Sequence, residues 1–237
     1  ASNIAGAFSG GVSDSISNLY STNNNAITTN FSAIRSDDGD VGVTISDSAY
    51  DAGNNDVTIA ATTLSGIGNQ TTGTVTVSNA IKISGTQSDV TGALVTEASK
   101  VSAGSAIVVI SDATYDATNR DVSMNASDLK SIGNATTGTV TLTNLQRITG
   151  SQSDVTAALV TGGSKVVAGT DNTIANVTTA VTAAQGQAIA AASNIAAAFA
   201  GGVSDSISNL YSTNNNAITT NFSAIRTEDT DVVVTID

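Results

Sequence analysis

Residues 192–237 repeat residues 1–46 at an offset of 191, with 39 of the 46 positions identical. The differing pairs are Gly6/Ala197, Ser9/Ala200, Ser36/Thr227, Asp37/Glu228, Gly39/Thr230, Gly42/Val233 and Ser46/Asp237. A single compact core gives no reason for the last fifth of a chain to copy its first fifth. The pattern therefore predicts a tandem array, with one period of 191 residues followed by the start of the next. The chain is expected to belong to a longer array, because the strand-like "VVVTID" at 232–237 matches a first copy that runs on through Ser46, Asp47 and Ser48.

A shorter duplication lies inside the period, at an offset of 65: residues 43–101 recur as residues 108–166. Asp47/Asp112, Tyr50/Tyr115, Leu64/Leu129, Ile67/Ile132, Gly73/Gly138, Ile83/Ile148 and Leu94/Leu159 keep their places. Apolar spacing and turn residues are what the two copies share. In each, "VTIS" and "DVTIA" read as short β-branched strands joined by a polar turn. Leu64 and Ile67, three apart, predict a short helical turn ended by Gly73. Val75, Val77, Ile81 and Ile83 give a strand bent at Ser78-Asn79. Thr86 is a predicted N-cap, with Asp89 three residues on and Val90, Ala93 and Leu94 on one helical face; Ser151 and Asp154 repeat the cap. Strand, short helix, strand, helix, with connections long enough for parallel crossovers, predicts an α/β repeat stacked as a solenoid. The alternative is an all-β sandwich of antiparallel hairpins with helical linkers, but few two-residue Gly/Asn turns are present for it.

The rest of the period is predicted to be helical. Ile16, Leu19, Tyr20, Ile27, Phe31 and Ile34 fall at helical spacings after Ser13 or Asp14 as N-cap. Asn23-Asn24-Asn25 is a weak centre, so residues 14–34 form either one long helix or two joined there. The Ala-rich run from Val181 to Phe199 is read as a helix feeding the second copy. The expected organisation is a helical element at 1–42, strand-rich units at 43–107 and 108–172, and an Ala-rich helix plus the second helical element at 173–237.

Charge and missing residue types narrow the function. Eight basic against twenty acidic side chains, a net charge of −12, repel nucleic acid and anionic membrane. No run approaches the roughly 18 apolar residues of a membrane span. Without His or Cys there is no imidazole base, no Ser-His-Asp or Cys-His arrangement and no thiolate metal site. No Gly-x-x-x-x-Gly-Lys-Ser/Thr phosphate loop occurs, and a carboxylate-only glycosidase is disfavoured by an aromatic content of 3%. The chain is expected not to be an enzyme and to require no cofactor.

Carboxylates are the remaining chemistry, because hard cations such as calcium bind to clustered oxygens alone. Asp37, Asp38 and Asp40 form one cluster, which returns as Glu228, Asp229 and Asp231. Asp47, Asp51 and Asp56 form a second, returning as Asp112, Asp116 and Asp121 with Arg120 among them. Their spacing fits neither an EF-hand loop nor a nonapeptide calcium coil, and Asp and Asn in such turns also bond their own backbone. Tyr50, Tyr115, Tyr20 and Tyr211 recur at equivalent places and read as packing residues.

The phrases "TTGTVTVSNAIKISGTQSDVTGALV" (71–95), "ITGSQSDVTAALV" (148–160) and "AVTAAQGQAIAAA" (180–192) resemble recurrent segments of very large, repeat-built cell-surface and secreted proteins of cyanobacteria and other aquatic bacteria. The resemblance covers about half the chain, concentrated in the 65-residue units. It implies an extracellular or surface-attached protein. The expected function is a structural one, a filament, sheath or surface layer in which each unit's partner is another such unit. An adhesin or calcium-dependent recognition module and a viral fibre are the alternatives.

Overall fold

Short β-branched runs become strands of two to five residues, and most of them pair in parallel. The computed structural model describes residues 6–54, 57–116, 118, 123–168, 173–192 and 195–237. They form two compact units, Ala1–Ser111 with Asn134–Val140, and Asp112–Gly133 with Thr141–Asp237. Each is α/β.

The first unit contains strands β1 (Val12–Asp14), β2 (Tyr20–Ser21), β3 (Ala26–Ile27), β4 (Val43–Ile45), β5 (Thr58–Ala60), β6 (Val75–Val77), β7 (Lys82–Gly85), β8 (Val101–Ser102) and β9 (Ile107–Ile110). Its helices are α1 (Ile16–Leu19), α2 (Thr29–Asp37), α3 (Ala61–Gly68) and α4 (Gln87–Leu94). Two parallel ladders organise them, β1-β4-β6-β8 and β5-β7-β9. From β4 to β9 the chain alternates between the ladders, so each crossover there carries a turn or helix from one to the other. Val12, Val43, Val75 and Val101 stack as one column, and Ile59, Ile83 and Val108 as another. Such like-on-like apolar columns fix register, since a one-residue slip would turn the buried set outward. Ile45, Leu64, Ile67, Val75, Ile83, Val90 and Val108 are completely buried between them.

The antiparallel sandwich is thus not what these residues form: the ladders described are parallel. The Ser78-Asn79 bend passes the chain from β6 in one ladder to β7 in the other. Thr86 caps α4 in a full capping box, its hydroxyl accepting from the Asp89 amide at 3.1 Å while the Asp89 carboxylate accepts from the Thr86 amide at 3.2 Å. Ser151 accepts from the Asp154 amide at 3.2 Å in the same way.

Gly73 has a different role from the expected helix stop, since α3 already ends at Gly68. A Cβ on Gly73 would run into the Asp40 carbonyl oxygen and sit 2.7 Å from that of Val41. The neighbouring Thr71 hydroxyl donates to the Val41 carbonyl at 2.7 Å and accepts from the Gly73 amide at 2.9 Å. Thr136 makes the same pair of bonds with Ala106 and Gly138. The Thr-x-Gly pair is therefore a clasp between successive strands, and glycine is required for the close approach.

Residues 14–34 are not one helix. Ser13 and Asp14 lie in β1, α1 is a single turn, and Tyr20–Ile27 folds into an antiparallel hairpin pairing Tyr20 with Ile27 and Ser21 with Ala26. Asn25 turns it at φ +49°, a left-handed conformation Asn tolerates, and the Tyr20 hydroxyl donates to the Asn25 side-chain oxygen at 2.8 Å. Thr28 then caps α2, accepting from the Phe31 amide.

In the second unit, β10 (Met124–Asn125), β12 (Arg147–Gly150), β14 (Thr173–Val177) and β15 (Ile195–Ala198) make one parallel ladder. The chain from Ala126 on also carries α5 (Ala126–Ala135), β11 (Val140–Leu142), α6 (Gln152–Val155), β13 (Val166–Val167) and α7 (Ala183–Ala190). Then come β16 (Val203–Asp205), α8 (Ile207–Leu210), β17 (Tyr211–Ser212), β18 (Ala217–Ile218), α9 (Thr220–Glu228) and β19 (Val234–Ile236). The Ala-rich run is helical only across α7, which Thr182 and Gln185 start with a capping box; Ile195–Ala198 becomes strand. There pairing overrides propensity: the strand lies in register along β14, with Ala197 opposite Ala175 and both buried.

Candidate functional site

The acidic turns serve the backbone first. The Asp38 carboxylate accepts from the Phe8 amide at 2.7 Å, and its equivalent Asp229 accepts from the Phe199 amide at the same distance. Asp40 beside it and the Phe8 amide hold Asp38 below the usual carboxylate range. Asp47 accepts from the Ile16 amide at 2.7 Å, at the start of α1. Asp51 closes its own turn, accepting from the Asn54 side chain at 2.8 Å and the Gly53 amide at 2.9 Å, and both lower its pKa. Asp116 accepts from the Thr118 amide, and the Asp112 carbonyl accepts from the Asn144 and Gln146 side chains. Asp37 lies in the last turn of α2, exposed. Asp56 and Asp121 lie outside the described residues. Among the described residues, no three carboxylates come together in an arrangement that could hold a metal ion.

Two further aspartates, outside the clusters that spacing picks out, brace the starts of helices. Asp14 accepts from the Asn18 side chain at 2.7 Å and the Ser15 amide at 2.8 Å, and both contacts hold its pKa low. Asp205 repeats this with Asn209 and Ser206 and also accepts from the Ala183 amide, so its carboxylate is held low as well. The repeat itself carried the signal, since the Asp-x-x-x-Asn spacing recurs at an offset of 191. The tyrosines are occupied in packing. Lys82 Nζ lies 4.8 Å from the centre of the Tyr50 ring, and the Arg147 guanidinium 5.8 Å from that of Tyr115.

A groove of about 610 Å³ in the first unit is lined by Ile16, Tyr20, Asn23, Asp47, Ile59 and Thr63. Among the described residues that line it, Asp47 is the carboxylate, and it already holds the Ile16 amide. The groove marks where α3 and β5 come over the hairpin: a Cβ on Gly66 of α3 would lie 2.7 Å from the Tyr20 ring.

Exposed apolar surface is the clearest unexplained feature, and it lies on the duplicated module. In the first copy Ile16, Val43 and Ile45 are buried, at 7%, 2% and 0% exposure. Their equivalents in the second copy, Ile207, Val234 and Ile236, are exposed by 61%, 39% and 61%, with Val233 and Ile218 also bare. The opposite flank reverses the pattern. Phe199, Val203 and Ile225 are buried under β14, Val181 and α7, whereas Phe8, Val12 and Ile34 are half-exposed. No family model, no curated protein and no solved structure matches this chain.

Proposed function

We propose that this chain is a structural repeat protein whose α/β units stack as a solenoid and assemble into an extracellular filament, sheath or surface layer. The observation that carries the reading is the module at 1–46 and 192–237, which forms the same helix, hairpin, helix and strand in both places. Equal units make equal contacts, and a contact that does not close on itself propagates. The parallel ladders support stacking, because each strand edge offers the next the same row of amides and carbonyls. The acidic surface and the resemblance to repeat-built surface proteins support an exposed, extracellular setting. Carboxylates bound to backbone amides are in keeping with a structural rather than a catalytic or cation-binding role for the turns.

Electron microscopy of the purified protein tests the proposal. The expected result is a filament or sheet with a regular axial repeat; monodisperse monomers under all ionic conditions would sink it.

A further inference from the structure

β5 is the outermost strand of its ladder, an open edge well inside the sequence. The groove of about 610 Å³ lies along it, because Val57, Thr58, Ile59 and Ala60, the whole of β5 with the residue before it, all line the groove. The other long stretch of lining comes from α1 and the hairpin, through Ile16, Tyr20 and Asn23. That hairpin does not close the edge: β2 pairs with β3 and with no strand of the ladder. A smaller recess of about 180 Å³ continues the groove, sharing Asp47, Val57 and Ile59 with it and adding Ser48 and Ile81.

We infer that the β5 edge and its groove bind an extended, basic peptide segment of another protein, which adds as a further strand beside β5. The inference goes beyond the self-assembly reading and does not depend on it. Three observations carry it. An outermost strand presents a row of backbone donors and acceptors, and a second extended backbone is what matches that row. The edge runs along a concavity rather than a flat surface, of a volume within the range of about 300–1,000 Å³ that binding sites occupy. Val57 beside it is 61% exposed, an apolar contact for every second side chain of an added strand.

Charge sets the sign of the partner. Asp47 lines both recesses, no Lys or Arg is among the described residues lining either, and the chain carries a net charge of −12. Asp47 Oδ2 accepts from the Ile16 amide at 2.7 Å, and no described residue bonds its Oδ1. A Lys or Arg of the peptide is therefore attracted to the groove and an acidic peptide is repelled.

Fluorescence anisotropy with a labelled hexapeptide, Lys-Val-Lys-Val-Thr-Val, tests this on the full chain, with hydrogen exchange read by mass spectrometry to locate the contact. Two control peptides carry Glu for Lys, or Pro for the central Val. Two variants are compared, Asp47→Asn, whose side-chain oxygen can still accept from the Ile16 amide, and Val57→Lys, on an exposed side chain; unchanged circular dichroism is expected for both. The basic peptide should bind one to one and slow exchange most at residues 57–60. Each variant should weaken binding about tenfold, as loss of a contact to a charged group does, and neither control peptide should slow exchange there. Binding that neither variant changes, or slowed exchange spread evenly over the acidic surface, would overturn the inference. So would no binding at about 1 mM peptide. Slowed exchange at residues 57–60 with maltotriose but not with the peptide would give the groove to a saccharide and overturn it as well.

Discussion

Residues 1–46 and 192–237 are nearly the same sequence in different surroundings, so a difference in burial at a position the two copies share is a tertiary effect. From Val12 and Val203 onward their local structures agree. Each has a short strand, one helical turn, a hairpin with a left-handed Asn, a capped helix and a last strand. Their burial does not agree: Ile45 is wholly inside while Ile236 is 61% exposed, and Ile225 is wholly inside while Ile34 is only half-buried. The module's shape is thus set by its own residues, and its contribution to stability by whichever flank is covered.

Paired substitutions break this comparison most directly, measured by urea unfolding of the dilute monomer. Ile45→Ala should cost about 2–5 kcal/mol, as a fully buried side chain lost from a packed ladder, while Ile236→Ala stays within about 0.5 kcal/mol. The order inverts on the other flank. Ile225→Ala, which leaves a space against Gly186 of α7, should again cost about 2–5 kcal/mol, against about 1 kcal/mol for Ile34→Ala. Equal losses within either pair would show that burial does not separate the two copies.

Gly66→Ala is a smaller test of the same asymmetry. Its new methyl meets the Tyr20 ring, so a loss of about 1–3 kcal/mol is expected, with the first module's hairpin responding and the Tyr211 hairpin unaffected in amide exchange. Local determinants, by contrast, should be indifferent to the copy. Thr28→Ala and Thr219→Ala each remove a hydroxyl that accepts from a helix amide, and each should cost about 1 kcal/mol. A several-fold difference between them would mean that the flanks reach even the caps.

The smallest effect concerns pH. Asp14 and Asp205 have folded pKa values held below the ordinary carboxylate value by side-chain and amide hydrogen bonds. A depressed folded pKa stabilises fully above the unfolded value of about 3.9 and is lost as pH falls through the folded one. Stability should therefore be flat from neutral pH down to about 5 and decline below about 4. Replacing both residues with Asn should shrink that acid dependence, which an acid titration of the urea midpoint would reveal.

Much of the strand-rich half was legible in the sequence because its signals are local and repeated. Thr86 with Asp89, Ser151 with Asp154 and the Ser78-Asn79 bend all act over a few residues. The errors arose where one sequence pattern serves two structures. Ile16, Leu19, Ile27 and Ile34 fit a helical period, yet the three asparagines between them favour a turn, and pairing of Tyr20 with Ile27 decides for a hairpin. Ile195–Ala198 is alanine-rich enough for a helix, but the β14 edge beside it captures it as strand. The acidic turns could not be ranked from spacing alone, because a carboxylate that accepts from a backbone amide and one that awaits a cation look the same in a sequence.

The sequence by itself determined the repeat, the caps, the turns and the chemistry that is missing, since all of these depend on residue type and short spacing. Only the tertiary structure decided which ladder each strand joins, why Gly73 must be glycine, and which flank of each module is bare. Those depend on what lies beside a residue after the chain has folded, and two identical stretches can have different neighbours.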